Sequence, residues 1–110
     1  PLLCGLEATE MVLHWHGDRC CLPPQAELLA SSLHCPEQVF RLGARAFGLQ
    51  FHVELLPPML ERWLDEDAAF VIAALGSDGP ARLRSDAARW GDHLRQRGRR
   101  LVANLLDQLA

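Results

Sequence analysis

One hundred and ten residues with 49% hydrophobic content suffice for one domain, or part of one, with a modest core. The formal charge of −3, with all eleven basic residues arginine and scattered, excludes the concentrated positive charge that nucleic acid or an anionic membrane would require of a partner. No apolar run reaches the ~18–20 residues of a membrane span, and no basic stretch followed by an apolar core marks a signal peptide, so a cytoplasmic protein is expected.

In chain order, Glu10 to His16 reads as a strand ended by the turn pair Gly17-Asp18. Gln25 to Ser32 places Ala26, Leu28 and Ala30 on one face of a second strand; Leu29 breaks the alternation and leaves helix open there. Gln38 to Leu42 is a short strand before Gly43, and Arg45 to His52 pairs with it as a hairpin. Strand alternation then puts Gln50, His52 and Glu54 on one face and Leu49, Phe51 and Val53 on the other.

After Glu54 the periodicity becomes helical. Pro57-Pro58 opens a short amphipathic helix to about Asp65, with Met59, Leu60, Trp63 and Leu64 at helical spacing. Asp67 is a cap candidate for Ala68 to Leu75, which is apolar nearly all round and reads as a helix buried on several sides, closed by Gly76. Ser77 to Pro80 reads as a loop. A long last helix has Ser85-Asp86 as cap candidates and a stripe of Trp90, Leu94, Leu101, Leu105 and Leu109, with a bend expected at Gly98 and a solvated face at Arg95, Arg97, Arg99 and Arg100. The chain is thus α/β, β-rich in its first half and helical in its second, with no internal repeat or linker.

Four cysteines at 4, 20, 21 and 35 show no disulfide spacing, and the adjacent Cys20-Cys21 opposes a simple disulfide framework. His14, His16, Cys20, Cys21 and Cys35 are zinc-type ligands, but no Cys-x-x-Cys pair accompanies them, so no metal is expected. The chemically informative pair is His52 and Glu54. A carboxylate beside an imidazole fixes the ring's tautomer and supports the imidazolium formed when the ring takes a proton from a nucleophile.

Leu49-Gln50-Phe51-His52-Val53-Glu54, together with His14-Trp15-His16-Gly17-Asp18 followed by Leu22-Pro23 and Leu28-Leu29-Ala30, resembles the class I glutamine amidotransferases, in particular the glutaminase domain of the GMP synthase type. That family shows Gln-Phe-His-Pro-Glu where this chain has Val53 in place of the proline, and Ser-His-Gly where it has Trp15-His16-Gly17. The resemblance covers the C-terminal half of such a flavodoxin-like domain, so residues 1–110 are expected to be a partial domain from which the nucleophile-bearing N-terminal half is absent. The family's nucleophile lies in a Gly-x-Cys-x-Gly elbow, and Leu2-Leu3-Cys4-Gly5-Leu6 lacks its paired glycines.

The resemblance implies hydrolysis of the glutamine side-chain amide to glutamate and ammonia, with His52 and Glu54 as catalytic residues and His16 and Trp15 against the substrate. No cofactor is implied. Glutamine is the expected small-molecule partner, and a separate synthetase the expected recipient of ammonia. A γ-glutamyl hydrolase of the same fold, or a non-catalytic binding or regulatory module that has lost the nucleophile, are the alternatives. The 110 residues by themselves are not expected to turn over glutamine.

Overall fold

The computed structural model describes all 110 residues. Three short strands, β1 (Ala26–Ala30), β2 (Val39–Leu42) and β3 (Ala46–Leu49), form an antiparallel sheet in the order β1-β2-β3. Three helices follow: α1 (Pro57–Glu66), α2 (Ala68–Leu75) and α3 (Gly79–Leu109). No helix is long and apolar enough to cross a membrane.

The hairpin expected of Gln38 to Leu42 and Arg45 to His52 forms, but its second strand stops at Leu49 and does not reach His52. Val39 faces Leu49, Arg41 faces Phe47, and the chain reverses through Gly43, whose φ of 66° is the left-handed backbone that glycine adopts without steric cost. Gly48 is also required: a Cβ there would lie 2.2 Å from Cζ of Phe40, whose ring covers it from the neighbouring strand. In β1 the register shifts between Leu28 and Ala30, so the broken alternation at Leu29 marks an irregularity in a strand.

Two small cores flank this sheet and the helices. One gathers Leu55, Leu60, Leu64 and Val71, with Leu13, Trp15, Trp63 and Leu83 against it. The other joins Leu2, Val39 and Leu101, with Phe47, Leu49, Phe51, Val53 and Leu105 around them. Phe51 and Val53 therefore belong to one core and Leu55 to the other, so the segment after β3 is stitched between them. Its closest seam is on α3, where a Cβ added to Gly98 would lie 2.9 Å from both Cβ and the carbonyl oxygen of Val53. Gly98 lies inside a continuous helix of 31 residues and serves close packing rather than a break.

Several expectations are corrected. Glu10 to His16 is not a strand: its backbone pairs with the rest at one isolated bridge, Leu13 with His52, because β3 ends at Leu49 and offers no continuing edge. α2 is not buried on several sides. Only Val71 is buried, while Phe70, Ile72 and Leu75 are 41%, 47% and 39% exposed, since α1 and α3 are the only helices or strands that pack on it. α3 starts at Gly79, six residues before Ser85, because Pro80 sits in the first turn, where a missing N–H costs no hydrogen bond. The arginine face is only partly solvated: Arg97 donates to the Gly5 carbonyl and pairs with Glu7 and Glu10.

Gly98→Val is expected to destabilise the chain by about 1–3 kcal/mol, because a side chain there must push the Val53 backbone off α3. Urea unfolding checks this, and an unchanged midpoint would refute the close packing.

Candidate functional site

His52 lies three residues beyond β3, so the sheet does not hold it. Its position depends on backbone bonds on either side: Gln50 N–H donates to Gln38 O at 2.9 Å and His52 N–H to Leu13 O at 2.9 Å. Side-chain alternation continues past the end of the sheet, with Phe51 and Val53 turned into the second core. His52 and Glu54 meet each other. His52 Nδ1 stands 2.6 Å from Glu54 Oε1, and the other carboxylate oxygen, Oε2, accepts from Val53 N–H at 2.9 Å. A carboxylate gripped at both oxygens fixes the direction from which it accepts the ring's N–H hydrogen bond.

His52 Nε2 faces the Trp15 carbonyl oxygen at 3.2 Å. With Nδ1–H directed at Glu54, a neutral ring has an accepting Nε2, whereas an imidazolium donates at both nitrogens. The ring is 29% exposed and Glu54 52%. The Glu54 carboxyl sits below its ordinary range: partial burial acts to raise it, but the hydrogen bond from His52, backbone donors and the nearby imidazole charge together outweigh that.

Two tryptophans surround the histidine. The Trp63 ring on α1 meets His52 edge-to-face at 5.2 Å between centroids and 72° between planes, and meets Trp15 at 5.4 Å and 62°. Trp15 Nε1–H donates to Asp67 Oδ2 at 3.1 Å. Asp67 occupies the N-cap position of α2, yet its side chain makes no capping bond. Trp63 and Asp67 were not identified as site residues from the sequence, where one belongs to an amphipathic stripe and the other reads as a cap. The available signal was Trp15, whose indole N–H requires an acceptor once the ring is half-buried.

Of the other expected site residues, His16 Nδ1 stands 3.0 Å from its neighbour's carbonyl, Asp18 O, while its buried Nε2 has no partner. His14 stacks edge-on against His16 at 5.9 Å, and burial together with the His16 charge lowers its pKa. The cysteines stand apart from the pair. Cys4 and Cys21 are exposed, Cys20 Sγ donates to Gln50 Oε1 at 3.2 Å, and none of the four hydrogen-bonds to His52. No three metal-ligating side chains converge. The larger groove, about 710 Å³, is lined by Met11, His14, Leu56, Leu83 and Trp90 and excludes His52; a smaller one of about 410 Å³ is lined by Val53, Glu54, Arg99 and Leu106. His52 lines neither groove, although Glu54 borders the smaller.

No protein-family model matches the chain. Over 61 residues, 56% of its length, it is 36% identical to a Salmonella typhimurium protein named as glutamine amidotransferase-like, YfeJ. The chain spans about a quarter of that protein's length, the aligned residues being 26% of it. The likeness is to a glutamine amidotransferase-like protein in general.

Because the folded-state pKa of Glu54 is depressed, its ionised, hydrogen-bonded form contributes fully above the ordinary glutamate value of about 4.3 and is lost as pH falls through the lower folded value. A carboxyl ¹³C titration should give Glu54 a midpoint below that of an exposed glutamate, moving upward in His52→Ala. A midpoint unmoved by that substitution would show that the histidine does not hold the carboxylate.

Proposed function

We propose that the chain is the His–Glu-bearing part of a flavodoxin-like class I glutamine amidotransferase domain of the GMP synthase type, which hydrolyses the side-chain amide of glutamine. The observation that carries this is the 2.6 Å contact of His52 Nδ1 with Glu54 Oε1, which leaves Nε2 on the opposite side of the ring for a nucleophile. The nucleophile is a cysteine of an elbow outside these 110 residues, since none of the four cysteines here bonds to the ring.

His52 Nε2 takes the thiol proton as sulfur attacks the amide carbon. As the tetrahedral adduct collapses, the C–N bond breaks and the imidazolium gives that proton to the departing nitrogen, releasing ammonia and leaving a γ-glutamyl thioester. Water, deprotonated by the same nitrogen, then cleaves the C–S bond to give glutamate, and the proton returns to sulfur. Glu54 orients the ring throughout and stabilises its charged form without itself taking the proton. In this reading Trp15 and His16 border the glutamine, and the Trp15 carbonyl must move off Nε2 before the thiol can approach. Ammonia passes to a synthetase partner in the cytoplasm.

The test uses the full-length protein in which this chain occurs, incubated with a glutamine-mimicking diazo-ketone and weighed intact. A single cysteine adduct, reduced by at least about a hundredfold in rate in His52→Ala, is expected from loss of the general base. A folded protein that takes no adduct would overturn the hydrolase reading in favour of a binding module without a nucleophile. Adduct formation on one of the four cysteines here would place the thiol within this chain.

A further inference from the structure

We propose that Trp63, acting with Trp15 and its anchor Asp67, is a positioning residue for His52: an aromatic bracket that sets the plane of the imidazole so that Nδ1 is directed at Glu54. The inference rests on the proposed general-base role of His52 and adds residues that this role alone does not require.

The contacts of the ring with Glu54 Oε1 and with the Trp15 carbonyl both lie at its nitrogens, in the plane of the imidazole. The last side-chain torsion of histidine is broad and roughly two-fold, so against a flip or a tilt of the ring the side chain itself offers little resistance and the Glu54 contact is the main restraint within the pair. β3 restrains neither, because the strand ends at Leu49. The Trp63 ring lies against the imidazole in the edge-to-face geometry that aromatic quadrupoles favour, so a turn of the imidazole must break that contact as well.

Trp63 is itself restrained. It packs on the core of Leu55, Leu60, Leu64 and Val71 and meets Trp15 on its other flank. Trp15 is pinned in turn by the bond from its indole N–H to Asp67. The same residue carries the carbonyl that His52 Nε2 faces, so the position of Trp15 bears on both sides of the imidazole. Asp67 makes no capping bond to α2, so its carboxylate is committed to this indole.

The experiment reads the ring directly, by ¹⁵N–¹H correlation of the His52 side chain in the 110-residue chain, with His52→Gln assigning the signals. The parent should show a distinct low-field Nδ1–H proton and two well-separated ring nitrogens. Trp63→Leu keeps apolar bulk without an aromatic edge and should lose the low-field proton, with the two nitrogen signals converging. Trp63→Phe should retain both features. Asp67→Ala changes only an exposed side chain and should broaden or shift the same signals, so the bracket stays testable even where Trp63→Leu does not fold. Parent-like His52 signals in a folded Trp63→Leu, or in Asp67→Ala should Trp63→Leu not fold, would overturn the proposal. In the full-length protein, alkylation by the diazo-ketone should slow by about three- to tenfold in Trp63→Leu, the factor to which the orientation energy of an aromatic pair corresponds. A protein that takes no adduct at all would refute the hydrolase reading and leave the ring signals to decide the bracket.

Discussion

The packing of the Val53 backbone on Gly98 is the constraint on which the rest of this structure depends. Beyond Leu49 the chain has left its sheet, and without some other surface the next five residues would be a loop of indefinite path. α3 provides that surface because Gly98 has no side chain. With Val53 seated there, His52 reaches the Leu13 carbonyl, Phe51 and Val53 fill one core and Leu55 enters the other. The His–Glu pair is thus held by helix packing as much as by strand geometry.

The charged contacts fall into two kinds. Pairs such as Arg84 with Glu61 and Arg41 with Glu27 are solvent-accessible and, screened by water, contribute little to stability. Glu10 is different. Its side chain is only 10% exposed, its Oε2 stands 2.7 Å from His93 Nε2, and its Oε1 accepts from Glu7 N–H while lying 3.3 Å from Arg97 Nε. Burial acts to raise its pKa, but these partners prevail and the net direction is down. This cluster ties the first ten residues to α3, and Asn104 reinforces the tie by donating to the carbonyls of Leu2 and Cys4 at 2.8 Å each.

Much of this was legible in the residues. The hairpin, the first helix and the partnership of His52 with Glu54 follow from local pattern, because each depends on neighbours a few positions apart. Residues 10–16 misled because their apolar alternation resembles a strand, whereas a strand also needs an edge to pair with, and only Leu13 finds one. α2 misled for a related reason: an all-apolar composition indicates a preference for burial but does not provide the layer that would bury Phe70 and Ile72. The roles of Trp63 and Asp67 lay out of reach, since their relation to His52 and Trp15 spans helix and loop and leaves no periodic trace.

The tie between the two ends of the described chain has a kinetic consequence. Leu2 packs with Val39 and Leu101, and its carbonyl receives Asn104 across a separation of 102 residues. That core has almost no local version of itself: closing it means closing a loop of 102 residues, at the entropic cost of that length. On the ribosome, which delivers the N-terminus first, Leu2 and Val39 would emerge early and remain exposed until α3 was complete. The surface that seats Val53 is made only after the residues of the hairpin and of the first two helices. The geometry around His52 is therefore not settled by its own neighbours in sequence, and is assembled only when α3 is in place.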